Sequence, residues 1–171
     1  MIDPIVKGQP VSLRIKIIDF GSSIMNYSET VRNFGTVTTR HYRAPEVLMK
    51  LNWSFPIDAF SIGVTIFELY TQILLFPAVI NNLQHIVIMS CTLGKLPSMY
   101  RRKKPHYFEH IDQLDAQEVA KHKPFEKYFD FGDAESAQLY RFLRRMLVYE
   151  PSKRATMKDL LTDPFIKNVE C

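Results

Sequence analysis

The sequence is poor in cysteine, in glycine and in long apolar runs, and each shortage closes off a class of protein. Two cysteines in 171 residues, Cys91 and the terminal Cys171, are too few and too far apart for a disulfide framework. They suit thiols in a reducing compartment, so an intracellular location is expected. Six glycines and 46% hydrophobic residues exclude collagen-like and low-complexity chains and fit an ordered one. The longest apolar stretch, Ser61 to Pro77, is broken by Glu68 and Gln72 and is short for a bilayer span, so no membrane association is expected. Residues 1 to 20 lack the apolar run of a signal peptide and carry Asp3, Pro4, Lys7 and Pro10 instead. Charge of one sign is missing too: 22 basic residues face 18 acidic ones, for a net +4, and no direct nucleic-acid binding is expected from so mixed a balance.

What is present is a chain long enough to bury roughly 70% of its unfolded surface as one domain. Val11 to Ile18 is rich in Ile and Val and reads as a short strand running into Asp19-Phe20-Gly21. A carboxylate at the end of such a strand is placed to hold a divalent cation, and the following glycine lets the chain turn; the same triplet is also a common strand-to-turn ending. Residues 22 to 43 have no sustained periodicity and read as a long loop of the functional kind. Ala44-Pro45-Glu46 opens a short helix with proline in its first turn, ending by Leu51.

From Ile57 to Gln72 apolar residues cover nearly the whole helical circumference, which predicts a central helix buried on all sides. Helices are also predicted over Leu83 to Leu93, Ala134 to Val148 and Thr156 to Leu161, where Leu139, Phe142, Leu143, Met146 and Leu147 keep a one-face spacing. The charged, aromatic and proline-marked stretch from Lys95 to Phe129 takes no clear assignment. His106 and His110 sit four apart as a zinc pair would, with no third ligand suggested. Arg101 to Lys104 reads either as a solvated face or as a site for acidic partners.

Four motifs in fixed order resemble the protein kinases: Asp19-Phe20-Gly21, Ala44-Pro45-Glu46, "DAFSIG" from Asp58 to Gly63, and "PSKR" from Pro151 to Arg154. "TTRHYRAPEVL" from Thr38 and the basic insert from Tyr100 to Asp115 are similar to the LAMMER kinases, relatives of the cyclin-dependent and MAP kinases. Phe60 stands where the central helix of the family has Trp, and Ser90 and Cys91 stand where the LAMMER signature has Glu and Arg.

The resemblance implies a mainly α fold: the helical C-terminal lobe of a kinase around a buried central helix, with a short strand before the Asp-Phe-Gly triplet and the N-terminal lobe absent. One partial domain is expected over 1–171, with strand and triplet in 1–21, an activation segment in 22–46 and the helical lobe in 47–171, the insert falling near 95–129. Asp19 is implied as the ligand of the magnesium that bridges ATP phosphates, with Phe20 packed beneath it and Gly21 permitting the turn. Thr39 would support the catalytic base, and Arg43 would organise the substrate loop. Glu46 and Arg154 would form a buried structural pair, and Asp58 would accept hydrogen bonds from the backbone of a catalytic loop.

Ser28, Thr30, Thr36 and Thr38 are candidates for ordering phosphorylation opposite Arg32, Arg40 or Arg43. The implied cofactors are ATP and magnesium, and the implied substrates are proteins, with Arg/Ser-rich splicing factors and the nucleus as the family's usual setting. The 171 residues hold no glycine-rich phosphate loop, strand lysine, paired helix glutamate or His-Arg-Asp segment, so no catalytic base is assigned. A truncated and inactive kinase lobe is therefore expected, with an inactive docking module as the alternative. Phe60, Val64 and Phe67 are expected to leave an apolar face for a partner to cover.

Overall fold

The computed structural model describes residues 15–24, 37–77, 81–113 and 119–167. Helix α1 (Pro45–Leu48) starts at Ala44, with Pro45 in the first turn, where its missing N–H costs no hydrogen bond, and all four of its residues are buried. The next long element, α2 (Pro56–Thr71), again begins on a proline and stops at Gln72, whose left-handed backbone (φ 58°) lets its N–H close on the Glu68 carbonyl at 2.8 Å.

Helix α3 (Asn82–Leu93) is capped by the Asn81 side chain, which accepts from the Gln84 N–H at 2.9 Å, and it ends where Gly94 turns to φ 100°. Helix α4 (Pro105–Asp112) follows within the stretch that sequence left unassigned. Helix α5 (Ala134–Met146) is capped by Asp133 and turns Leu139, Phe142, Leu143 and Met146 inward. A capping box between Thr156 and Asp159 starts α6 (Met157–Leu161), and α7 (Pro164–Lys167) closes the described chain.

The core is built around α2, which packs against α5 along one side and meets the turn at Arg40–Tyr42 on another. Gly63 makes the α2–α5 crossing possible. A Cβ there would lie 3.0 Å from Met146 Cβ and 3.2 Å from Leu147 Cδ2, so the two backbones approach more closely than a side chain allows.

Two expectations about α2 are corrected. Phe60, Val64 and Phe67 are fully buried rather than exposed, and the helix is not covered on all sides, since Ile62, Leu69 and Tyr70 face outward. The cover comes from aromatics that periodicity does not reveal. Phe60 stacks on Phe76 at 6.4 Å between ring centres, and Phe67 meets Phe125, Tyr128 and Phe129 at 5.0 to 6.3 Å.

The expected strand falls partly on residues 11–14, outside the described residues. Its described part, 15–18, lies in no strand, and Ile15, Ile17 and Ile18 are exposed; among the described residues no neighbouring strand pairs with it. Among the described residues no helix is long and apolar enough to cross a membrane.

Candidate functional site

An open cleft of about 270 Å³ runs between the segment at Asp19–Ile24 and the start of α2, with Asp19 on one wall and Asp58 on the other. Asp19 has left-handed backbone angles (φ 62°, ψ 66°), a conformation that non-glycine residues adopt at a cost and that recurs at functional sites. Its carboxylate caps nothing and has no hydrogen-bond partner among the described residues. Ser22, Ser23 and Thr38 add hydroxyl oxygens to the same cleft. Thr38 is left-handed as well (φ 67°).

Arg43 fixes this second bend. Its Nε donates to the carbonyls of Val37 and Thr38 at 3.2 and 2.9 Å, and burial, with Arg40 close by, pulls its pKa below the usual guanidinium value. Asp58 opens onto the cleft, yet the protein around it pushes its carboxyl above the ordinary aspartate range.

An oxygen-only donor set suits a hard cation. No cluster of three or more His, Cys, Asp or Glu able to hold a metal occurs among the described residues. Magnesium is commonly held by one or two carboxylates together with substrate phosphates. The Asp19 carboxylate on the cleft fits the implied ion as a single oxygen ligand, whereas among the described residues His106 and His110 gain no third ligand.

Two roles expected of the triplet are corrected. Phe20 does not pack beneath Asp19; it is 66% exposed, in a short 3-10 turn (Phe20–Ser22) with no buried residue. The strained turn residue is Asp19 and not Gly21, where a Cβ would meet only Asp19 Oδ1 at an ordinary 3.5 Å. Thr39 is exposed, and its carbonyl accepts from the Tyr42 N–H at 3.0 Å while its hydroxyl makes no capping bond. Ser28, Thr30 and Thr36 lie outside the described residues.

Glu46 and Arg154 do form a buried pair. The Arg154 terminal nitrogens donate to the two Glu46 oxygens at 2.8 and 3.0 Å. Its remaining N–H groups reach the carbonyls of Pro56, Val148 and Tyr149, and the guanidinium lies 5.1 Å from the Phe60 ring centre. One side chain thus ties α1 to the start of α2 and to the chain leaving α5.

A second hollow has no motif in the sequence to mark it. Glu68, Thr65, Leu69 and Gln72 of α2 line it together with Tyr42, whose hydroxyl donates to Glu68 Oε2 at 2.6 Å. That hydrogen bond raises the Tyr42 pKa and aims a carboxylate at the segment just before Ala44. Ser61 Oγ, donating to the Tyr42 carbonyl at 2.9 Å, holds the same segment on α2. The only sequence signal was Glu68 interrupting an apolar helix.

The protein kinase domain family matches residues 5–166. Among curated relatives, dual specificity protein kinase CLK1 of Mus musculus is 37% identical over 161 residues, covering 88% of this chain and 32% of the relative. Dual specificity protein kinase CLK2 of Homo sapiens is 36% identical, covering 90% of this chain and 32% of the relative. Serine/threonine-protein kinase Doa of Drosophila melanogaster is 35% identical over 88% of this chain and 19% of its own length. The crystal structure of the PF14_0431 kinase domain superposes with a TM-score of 0.70 at 26% identity, covering 88% of this chain and 46% of that one. The chain thus spans about a third or less of the length of these curated relatives. With its helical lobe, its oxygen-lined cleft and its buried Glu46–Arg154 pair, the chain belongs to the protein kinase family, on the LAMMER-type branch of CLK-like dual-specificity kinases.

Proposed function

We propose that this chain provides the substrate-side lobe of a kinase that transfers the γ-phosphate of ATP to Ser and Thr of proteins, and to Tyr as dual-specificity relatives do. The observation that carries this reading is the cleft that Asp19, without a hydrogen-bond partner among the described residues, lines together with Asp58, Ser22, Ser23 and Thr38. Asp19 would hold the magnesium in this reading, and the ion would supply the positive charge that offsets the phosphates. Asp58 braces the backbone of the catalytic loop, Thr39 supports the base of that loop, and Arg43 holds the 37–38 bend beside the substrate.

The hollow at Glu68 supports a basic substrate. A half-buried carboxylate held by Tyr42 attracts a guanidinium more strongly than a solvated one does, and Arg/Ser-rich proteins of the splicing machinery offer such groups beside Ser. A nuclear location follows from that substrate class. By themselves these 171 residues supply neither the His-Arg-Asp base nor the glycine-rich loop and lysine that hold ATP, and we read them as inactive in isolation.

The alternative, a docking module without catalysis, draws support from α2. Phe55, Ile62 and Leu69 recur at seven-residue spacing and are all exposed, a stripe that a partner helix would cover. Binding of a fluorescein-labelled Arg-Ser repeat peptide tests the substrate reading. Glu68→Gln is expected to weaken it by about tenfold, the scale of one charge-assisted contact. Equal binding by both proteins would remove the support.

A further inference from the structure

Between residues 95 and 112 five Lys or Arg stand against two carboxylates, Glu109 and Asp112, and two of the five, Lys95 and Arg101, line one hollow. The turn that displays four of them is rigidly tied. The amides of Lys103 and Lys104 both donate to the Tyr100 carbonyl, at 3.0 and 2.8 Å, and the buried Tyr100 ring donates its hydroxyl to the Tyr149 carbonyl at 2.9 Å. With Tyr100 fixed in the core, Arg101, Arg102 and Lys103 point to solvent.

Beside this turn lies an open hollow of about 380 Å³, floored by Leu96, Phe108 and Ile111 and rimmed by Lys95 and Arg101. Asp112 on the same rim is neutralised: Arg101 donates to both its oxygens at 2.7 and 3.2 Å and holds its pKa below the aspartate value. Lys95 on the rim, with Arg102 and Lys103 exposed on the adjoining turn, leaves an excess of positive charge beside an apolar floor.

We propose that this hollow docks an acidic protein segment, one apolar side chain resting on Leu96 and Ile111 and flanking carboxylates meeting Arg102, Lys103 and Lys95. Complementary charge sets the sign of the partner, and the floor sets its kind. Single-stranded nucleic acid needs an open aromatic face for base stacking. Phe108 offers none, being 4% exposed with the Arg101 guanidinium 4.4 Å over its ring. The site shares no residue with the cleft at Asp19 or the hollow at Glu68, so it stands or falls apart from the kinase reading.

The test is fluorescence anisotropy with the 171-residue chain and a short labelled peptide of Glu and Asp around one central Leu. Saturable binding is expected, weakened about tenfold or more by Arg102→Glu combined with Lys103→Glu, and weakened likewise when the peptide Leu becomes Ser. Lys95→Glu gives the same reading should the double variant lose its helical circular dichroism. The proposal is overturned if charge reversal leaves peptide binding unchanged, if the Ser peptide binds as tightly, or if an oligouridylate of equal charge binds better than the peptide.

Discussion

Arg154 and Glu46 stand 108 positions apart in sequence and share two hydrogen bonds in the core, with neither side chain more than 2% exposed. The pair joins α1 to the chain that follows α5. Its removal on one side leaves a guanidinium buried without its counter-charge.

Glu46→Ala is expected to cost about 3–5 kcal/mol in urea unfolding. The double variant Glu46→Leu with Arg154→Met does not return to the wild-type value. Arg154 also satisfies the carbonyls of Pro56, Val148 and Tyr149, and losing their donors costs on the order of 1 kcal/mol or more. An unchanged midpoint in Glu46→Ala would show that the pair does not anchor the segment.

Gly63→Ala removes helix-breaking flexibility, worth about 1 kcal/mol in favour of the variant. It also pushes a methyl to 3.0 Å from Met146 Cβ, a backbone-attached atom that cannot swing aside. The clash wins, with a net loss of roughly 1–2 kcal/mol, because overpacking costs about 1–3 kcal/mol. A higher melting temperature for the alanine variant would mean that α2 and α5 have room to separate.

His85 is fully buried, 5.1 Å from the Phe76 ring, and neither ring nitrogen finds a partner among the described residues. Burial, then His41, Arg40 and Arg43, press its pKa from 6.5 to about 3. The unfolded chain therefore binds a proton that the folded one refuses, so stability falls as pH drops below 6.5 toward 3. His85→Leu is expected to be more stable than the wild type at pH 5, with a shallower loss on acidification. Parallel stability curves for the two proteins would contradict this.

How much of this was legible in the sequence follows the kind of signal each feature leaves. Helices with one apolar face were legible, as over Ala134 to Met146 and Met157 to Leu161, because the spacing of apolar residues is local, while their caps at Asp133 and Thr156 came only with the structure. Glu46 and Arg154 were legible only through their motifs, since nothing local links residues 108 apart. The burial of Phe60 and Phe67 was misread because their cover, Phe76 and the Phe125–Phe129 aromatics, comes from stretches without periodicity. Gly21 was read only as permitting the turn, whereas the fold puts the left-handed backbone at Asp19, one of the few non-glycine residues with positive φ among those described. Glu68 looked like an interruption of a greasy helix until Tyr42 was found beside it.

The account rests on Asp19 being a metal-binding wall of a phosphoryl-transfer site whose base and ATP-holding groups these residues do not include. The most direct measurement is transfer of labelled γ-phosphate from magnesium-ATP to an Arg-Ser peptide by the purified 171-residue chain. No transfer above the enzyme-free blank is predicted. Transfer that is magnesium-dependent and abolished by Asp19→Ala would contradict the account, because the chain would then hold a complete catalytic site.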